Sequence, residues 1–262
     1  MKPLKQLCTP RDSVFDTSKR DTVLNLAHLI DNKIDGNSFF EENYVTDGMR
    51  TLLVEAFRRL QKKSEQAVFK LTQAMGGGKT HNLITLGLLA THPEHRAQVL
   101  RELPSANDLP NVRVVAFSGR ETDVPHGIWG EIARQIGKFD ALKDHYQPLK
   151  APGRNAWINL LKGEPTLILI DELPPYLDNA KSVAVGNSDL AKVTATALSN
   201  LFEAVVEADL GNVCVVLTDL VGTSELLTWS GHKLSPFSFS RVTPRRNNSS
   251  EAWFRGTQCL SY

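Results

Sequence analysis

The chain has 262 residues, 41% of them hydrophobic and 23% charged, which is typical of a soluble globular protein. Its 30 basic and 29 acidic residues give a formal net charge of +1, so overall charge does not favour nucleic acid or an anionic membrane as a partner. The longest nearly apolar stretch, residues 83–90, is far shorter than the roughly 20 residues that cross a bilayer. Three cysteines without a Cys-x-x-Cys pair indicate a reducing, cytoplasmic compartment and argue against a disulfide framework.

Composition predicts three parts in the chain. Residues 1–45 are an N-terminal extension, residues 46–220 an α/β core, and residues 221–262 an irregular, poorly ordered tail. Within that tail, residues 230–262 contain five basic residues, one acidic residue and seven serines, and they show neither a helical nor a strand period. We therefore expect the end of the chain to be dispensable for ligand binding.

The core begins with a helix and a strand. Thr46 is a plausible N-cap, and apolar residues recur at helical spacing from Met49 to Leu60. Residues 67–72 then predict a short strand, which runs directly into a glycine-rich loop.

The glycine-rich loop reads QAMGGGKT and opens an apolar helix that is predicted over residues 79–90. A strand, such a loop and a helix together favour a phosphate-binding P-loop, in which glycine N–H groups surround an anion. Lys79 is expected to reach the β- and γ-phosphates and the Thr80 hydroxyl to ligate Mg²⁺. Gln73 stands where the strict pattern has a glycine. His81 follows directly, and its position favours an exposed residue of the first helical turn over a nucleotide contact. The candidate nucleotide-binding residues are Gly76, Gly77, Gly78, Lys79, Thr80 and His81.

A second strand is predicted over residues 112–117, with helices over 127–136 and 155–161. Three polar residues follow the second strand: Arg120, Asp123 and His126. They either line a ligand site at the end of the sheet or belong to a surface loop.

The third predicted strand, residues 166–170, is wholly apolar after its first residue and ends in Asp171 and Glu172. Charges cannot lie unpaired inside such a strand, so both acids are expected at its carboxyl end, where open α/β sheets bind ligands. Asp171 is expected to hold Mg²⁺ through its water shell, and Glu172 to activate the attacking water. Pro174 and Pro175 are expected to break the chain after them.

A helix over residues 190–206 and a fourth strand over 213–217 complete the predicted core. Thr218 directly follows that strand and is a candidate catalytic residue that contacts the γ-phosphate or the water, although a plain Thr-Asp turn fits the pattern as well. Strands alternating with helices predict a three-layer α/β fold of the P-loop NTPase type with a mainly parallel sheet. No fifth strand is predicted.

The ordered set QAMGGGKTH, TLILIDE and VCVVLTD resembles the P-loop ATPases of the AAA+ class. More narrowly, four segments resemble the N-terminal part of a family of large bacterial ATPases: MKPLKQLCTPRDSV, FFEENYVTDGMRTLL, GGGKTH and HGIWGEIARQIG. That family is catalogued only as a domain of unknown function and is often encoded near DNA methyltransferases and anti-phage genes. The resemblance covers roughly residues 1–220 and implies an intracellular prokaryotic ATPase of a defence or DNA-processing assembly.

The resemblance implies ATP and Mg²⁺ as cofactors, protein partners or self-assembly, an indirect association with DNA, and no membrane. It fades near Val221, and no fifth strand or arginine-bearing lid follows, so we expect a copy truncated at its carboxyl end that binds Mg·ATP and hydrolyses it slowly. Arg120 or Arg154 is a possible substitute for the missing arginine. A non-catalytic regulatory fragment and a small-molecule kinase are the alternatives to an ATPase.

Overall fold

The computed structural model of the chain describes residues 24–72, 78–120, 124–219 and 235–237. Asn25–Phe239 form one compact unit. Among the described residues, no helix is both long enough and apolar enough to cross a membrane.

Helices and strands alternate through most of this unit. The α-helices of the described residues are α1 (Ala27–Ile30), α2 (Gly36–Glu42), α3 (Asp47–Leu60), α4 (Lys79–Thr91), α5 (Arg96–Val99), α6 (Gly127–Gln135), α7 (Arg154–Leu161), α8 (Leu173–Ala180) and α9 (Leu190–Val205). The strands are β1 (Val68–Thr72), β2 (Arg113–Ser118), β3 (Thr166–Asp171), β4 (Ala184–Val185), β5 (Ser188–Asp189), β6 (Val213–Asp219) and β7 (Ser235–Phe237). Short 3₁₀ helices cover Pro93–His95, Pro104–Asp108, Phe139–His145 and Ala208–Leu210.

One parallel sheet organises the unit, with strand order β2-β3-β6-β1-β7. Its body is the four strands β1, β2, β3 and β6, all of which the sequence predicts. The separate strands β4 and β5 pair as a small antiparallel hairpin. The predicted α/β class and the parallel arrangement are therefore confirmed.

The expectation of no fifth strand is wrong. Ser235–Phe237 pair in parallel with β1, on the side of β1 opposite β6. These three residues lie in the segment that composition predicts to be irregular, and the rest of 221–262, apart from this strand, lies outside the described residues. A three-residue strand is too short to show a period of two in the sequence, and it depends on pairing with a neighbouring strand.

Helices cover both faces of the sheet, which gives three layers. On one face, alternate residues of β2, β3 and β6 form a buried cluster with α6, α7, α8 and α9. On the other face, α3 contacts β6 and α4 contacts β2, β3 and β6. Every residue of β3 is buried, as expected for a strand covered on both faces.

Local signals explain the ends of several helices. The Thr46 hydroxyl accepts a hydrogen bond from the Met49 N–H at the start of α3, which confirms the predicted cap. The expectation that Pro174 and Pro175 break the chain is wrong, because they lie in the first turn of α8. Prolines fit the first turn of a helix, where the backbone N–H groups have no partner within the helix.

Residues of the predicted N-terminal extension pack against the core. The short helix α1 contacts both α4 and β2, and Leu29 lies against α4 at Gly87. In α2, the Phe39 ring stacks on His81 in the first turn of α4, with ring centroids 4.7 Å apart. The helix that follows the glycine-rich loop is thus covered by the segment that precedes α3.

Candidate functional site at the carboxyl edge of the sheet

Strand order and register determine which predicted residues meet. Because β3 and β6 are parallel neighbours with Ile170 opposite Leu217, Asp171 and Thr218 lie side by side at their carboxyl ends. β1 lies on the other side of β6, and the loop after it leads into α4. Three of the predicted positions therefore converge at one edge of the sheet.

The glycine-rich loop lies largely outside the described residues, including Gly76 and Gly77. Gly78 is described and has φ +72°, a left-handed conformation that favours glycine, at the N-cap of α4. Lys79 and Thr80 are the first two residues of that helix and are half-buried. The N-terminus of α4 thus faces the same edge as the ends of β3 and β6.

Asp171 is the centre of the site. It is the last residue of β3 and is buried, and its carboxylate accepts hydrogen bonds from two threonine hydroxyls. Thr80 Oγ1 lies 2.5 Å from Asp171 Oδ2, and Thr218 Oγ1 lies 2.5 Å from Asp171 Oδ1. One carboxylate therefore joins the helix after the glycine-rich loop to the ends of the two central strands.

Thr218 is not a turn residue. It is buried within β6, which extends to Asp219, so the alternative of a plain Thr-Asp turn is wrong. Besides donating to Asp171, its hydroxyl accepts a hydrogen bond from the Glu172 N–H at 3.1 Å. Thr218 thus contacts both acids of the predicted pair.

Glu172 has a strained backbone at the N-cap of α8. Its φ is +51° and its ψ is +40°, a left-handed conformation that is uncommon for residues other than glycine. Its N–H donates to Asp171 Oδ1 at 3.0 Å as well as to Thr218. Such strain persists where surrounding contacts hold it, and it concentrates at functional sites.

Gly119 and Arg120, the two residues that follow β2, contact the backbone and the side chain of the Asp171–Glu172 segment. The Gly119 N–H donates to the Asp171 carbonyl at 2.8 Å, and a Cβ at Gly119 would lie 1.9 Å from the Glu172 carbonyl oxygen. Arg120 Nε lies 2.7 Å from Glu172 Oε2. Arg120 therefore lines the site, which the sequence left open. Gly119 was not among the predicted site residues, and its place at a strand end is the one local signal that marks it.

His81 is not exposed, so the alternative of an exposed first-turn residue is wrong. It is half-buried against Phe39, and this burial lowers its pKa and favours the neutral imidazole. Its contact with a nucleotide stays a prediction.

Two of the remaining polar candidates, His126 and Arg154, do not join the site. His126 packs among the rings of Phe139 and Tyr146, in the layer of α6. Arg154 forms an ion pair with Glu207, with 2.9 Å between the two side chains. Glu207 shortly precedes the start of β6, so this pair lies at the amino ends of the strands, at the opposite edge of the sheet from the site. Asp123 lies outside the described residues.

The donor atoms of the site suit a magnesium ion. Mg²⁺ prefers oxygen ligands, often one or two protein groups together with substrate phosphates and water. The Thr80 hydroxyl and the Asp171 carboxylate supply such oxygens at the N-terminus of a helix. A buried carboxylate is also costly unless it is paired or bound to a cation, so Asp171 fits a cation-binding role.

The chain is thus an α/β protein with a cluster of hydroxyl and carboxylate groups at the carboxyl edge of its parallel sheet. Ligands bind at this edge in open α/β sheets. The family model of the DUF499 N-terminal domain matches residues 4–110 and 118–224, so the chain belongs to that family. Both matched segments contribute to the site, the first with Thr80 and the second with Asp171, Glu172 and Thr218. No curated protein matches the chain in sequence.

Proposed function

We propose that the chain binds Mg·ATP at the carboxyl edge of its sheet and hydrolyses it, as an ATPase of the P-loop class. The observation that carries this proposal is the contact between Thr80 and Asp171. It joins the second residue of the helix that follows three glycines to a carboxylate at the end of a buried strand of the same sheet. P-loop enzymes use such a hydroxyl and such an acid to hold the metal.

Five groups have roles in nucleotide binding. N–H groups of the glycine-rich loop, Gly76 to Gly78, and the N-terminus of α4 attract the phosphates. Lys79 neutralises phosphate charge, and Thr80 and Asp171 orient Mg²⁺. The metal, when bound, screens the charge that develops on the phosphates during transfer.

Two further residues have roles in hydrolysis. Glu172 accepts a proton from the attacking water or orients it, because a carboxylate at hydrogen-bonding distance of water acts as a base. Thr218, whose hydroxyl already contacts Asp171, orients the water or a phosphate oxygen. The hydroxyl of Thr218 also holds the backbone of Glu172, so the two residues act together.

The setting of this activity is proposed from the resemblance alone. We place the chain in the cytoplasm of a prokaryote, in a defence or DNA-processing assembly that includes protein partners or further copies of the chain. Its association with DNA is indirect, because the net charge of +1 provides no general attraction to a polyanion.

Turnover separates an ATPase from the two alternatives. We expect phosphate release from Mg·ATP by the purified full chain, and at least about a 100-fold loss in Glu172→Gln, since the amide keeps the shape and loses the base. Glu207→Gln, which changes an ion-paired acid at the opposite edge of the sheet, is the matched control and should keep normal turnover.

Three outcomes would contradict the proposal. Binding without phosphate release in the wild type would favour a non-catalytic regulatory fragment. Phosphate transfer to an added small-molecule acceptor, in preference to water, would favour a kinase. Equal turnover in Glu172→Gln and the wild type would remove Glu172 from the mechanism.

A further inference from the structure

A groove of about 390 Å³ lies on the face of the unit that carries α7, α8 and α9. Three elements form its walls: the segment 148–151 before α7, the hairpin of β4 and β5, and the first two turns of α9. Its volume falls in the range of sites that accept a ligand. The groove shares no residue with the candidate nucleotide site, so its role is independent of ATP.

The inner lining of the groove is apolar. Leu149, Ala151, Val185 and Val193 are half-buried there and pack against the main hydrophobic cluster of this face. The part of their surface that faces the groove is in contact with water. Covering it with the apolar side chains of a ligand is favourable.

The segment before α7 forms a fixed wall. Tyr146 and Leu149 form an antiparallel bridge, and the Lys150 N–H donates to the His145 carbonyl at 3.2 Å. These backbone contacts close a tight turn beside the groove. The wall is therefore formed before any ligand arrives, which lowers the entropy cost of binding.

The hairpin offers an open strand edge beside the groove. Among the described strands, β4 and β5 pair only with each other. Each of them therefore has a second edge whose backbone groups can pair with an added strand. An extended segment at such an edge would direct alternate side chains into the groove.

Two lysines at the rim make the groove positive. The Lys150 side chain is exposed and forms no ion pair with the residues that the structure describes. The Lys192 side chain is 73% exposed, and its Nζ lies 3.4 Å from Asp189 Oδ2. An ion pair this exposed is weak, so Lys192 is also able to contact a carboxylate of a ligand.

The position of Lys192 does not serve the stability of its own helix. It lies in the first turn of α9, where the helix dipole favours a negative charge, and that turn contains no acidic residue. A side chain that departs from such a local preference is expected at a position selected for function. This second observation favours a negatively charged ligand at the groove.

The combination of an apolar lining and a positive rim favours a peptide over a nucleic acid. Phosphates would interact with Lys150 and Lys192 but would gain nothing from Val185 and Val193. A peptide that carries both apolar and acidic side chains uses all four residues, and its backbone can also pair with the hairpin.

We propose that this groove is the docking site for an extended segment of a partner protein in which apolar and acidic residues alternate. The apolar side chains cover Val185 and Val193, and the carboxylates contact Lys150 and Lys192. The backbone of the segment adds to an edge of the β4–β5 hairpin. The inference goes beyond the proposed function and does not rest on it.

Methyl NMR of the full chain tests this docking site with the peptide acetyl-Asp-Val-Glu-Val-Asp-amide as the probe. The methyl signals of Val185 and Val193 are assigned by their loss in Val185→Ile and Val193→Ile. We expect the peptide to shift both signals saturably. A peptide with serines in place of the valines, and one with lysines in place of the acids, should leave them unchanged.

Substitutions at the rim test the role of charge. Lys150→Gln and Lys192→Gln should each weaken binding of the probe by about two- to fivefold, because each removes one exposed ion pair with the peptide. Lys162→Gln is the matched control, since it changes an exposed lysine that is paired with Asp209 outside the groove, and it should bind the probe as the wild type does.

Four results would overturn the inference. The first is no shift with the probe, and the second is an equal shift with the serine peptide, which would remove the apolar lining from recognition. The third is a larger shift of the same signals with a short oligothymidylate, which would indicate a nucleic acid. The fourth is a shift with chain concentration alone, which would indicate that a second copy of the chain covers the groove.

Discussion

Arg96 shows how single buried side chains hold this fold together. Its guanidinium is fully buried and donates to the carbonyls of Leu89 and Ala90 at the end of α4, and to those of Ala106 and Leu109 beyond it. The last carbonyls of a helix have no partner within the helix, so a buried donor is valuable there. One side chain thereby fixes the end of α4 against the following turn.

We expect Arg96→Met to lower the free energy of unfolding by about 3–5 kcal/mol, because four buried carbonyls lose their donor. Urea denaturation of the full chain measures this loss. Arg101→Met changes an exposed arginine a few residues away and should shift stability by less than about 0.5 kcal/mol. A loss in Arg96→Met no larger than that of the control would contradict the structural role of Arg96.

The buried thiol of Cys214 should make the folded chain less stable at alkaline pH. Burial within β6 raises the pKa of its thiol to about 12. The unfolded thiol ionises near pH 8.5 and the folded one does not, so the stabilisation is complete below that pH and is lost as pH rises toward 12. Between about pH 8.5 and 10, the free energy of unfolding should fall in both proteins, but by roughly 1–2 kcal/mol less in Cys214→Ala than in the wild type. Urea titrations at each pH measure this difference. Parallel pH profiles of the two chains would contradict this account.

At the scale of elements, the approach of β2 to α8 shapes the site. Ser118, opposite Asp171, ends β2, and Gly119 leaves room for the Glu172 peptide. Any side chain at residue 119 forces the end of β2 away from the start of α8. The conformation of Glu172 thus depends on a residue of a different element.

Gly119→Ala should lower the free energy of unfolding by about 1–3 kcal/mol, since its Cβ meets backbone atoms, which cannot move aside as a flexible side chain can. It should also lower ATP turnover, because Glu172 moves. Gly153→Ala is the matched control, as a Cβ there meets nothing within 4 Å and its φ is −76°. Urea denaturation and phosphate release measure both variants, and equal behaviour of the two would refute the role of Gly119.

The sequence predicted the elements that carry strong local signals. The strands β1, β2, β3 and β6 are apolar, and α3 combines a threonine cap with regular helical spacing, so each was predicted within two residues of its observed ends. Asp171 is predicted at the edge of the sheet because unpaired charges avoid the interior of a buried strand, and Thr218 because it directly follows the fourth predicted strand. The argument from charge also predicts Asp171 beside the glycine-rich loop.

Other features depend on contacts between distant residues and have no local signal. β7 depends on its pairing with β1, and the first turn of α8 contains two prolines that the sequence alone presents as a break. The strain at Glu172 and its pair with Arg120 arise where β2 and β3 end together. Such features follow from the order of strands, which the sequence does not specify locally.

At the scale of the whole molecule, β7 argues against the expectation that the sheet lacks a fifth strand beside β1. A strand now lies on the open side of β1, so the sheet edge beside the glycine-rich loop is paired. The expectation of slow hydrolysis then depends on the source of an arginine that stabilises charge on the γ-phosphate. We expect wild-type turnover below about 1 s⁻¹ without a partner, as phosphate release will show, and faster turnover would indicate that the chain supplies this charge itself.

The most direct test of nucleotide binding is a calorimetric titration of Mg·ATP into the full chain and into Lys79→Ala. We predict saturable binding by the wild type and an affinity about 100-fold lower in Lys79→Ala, because a charge-assisted contact with phosphate is lost at the N-terminus of α4. Lys162→Ala, which removes an exposed lysine paired with Asp209, should bind as the wild type does. Equal affinity in Lys79→Ala and the wild type, or no binding by the wild type, would contradict the account.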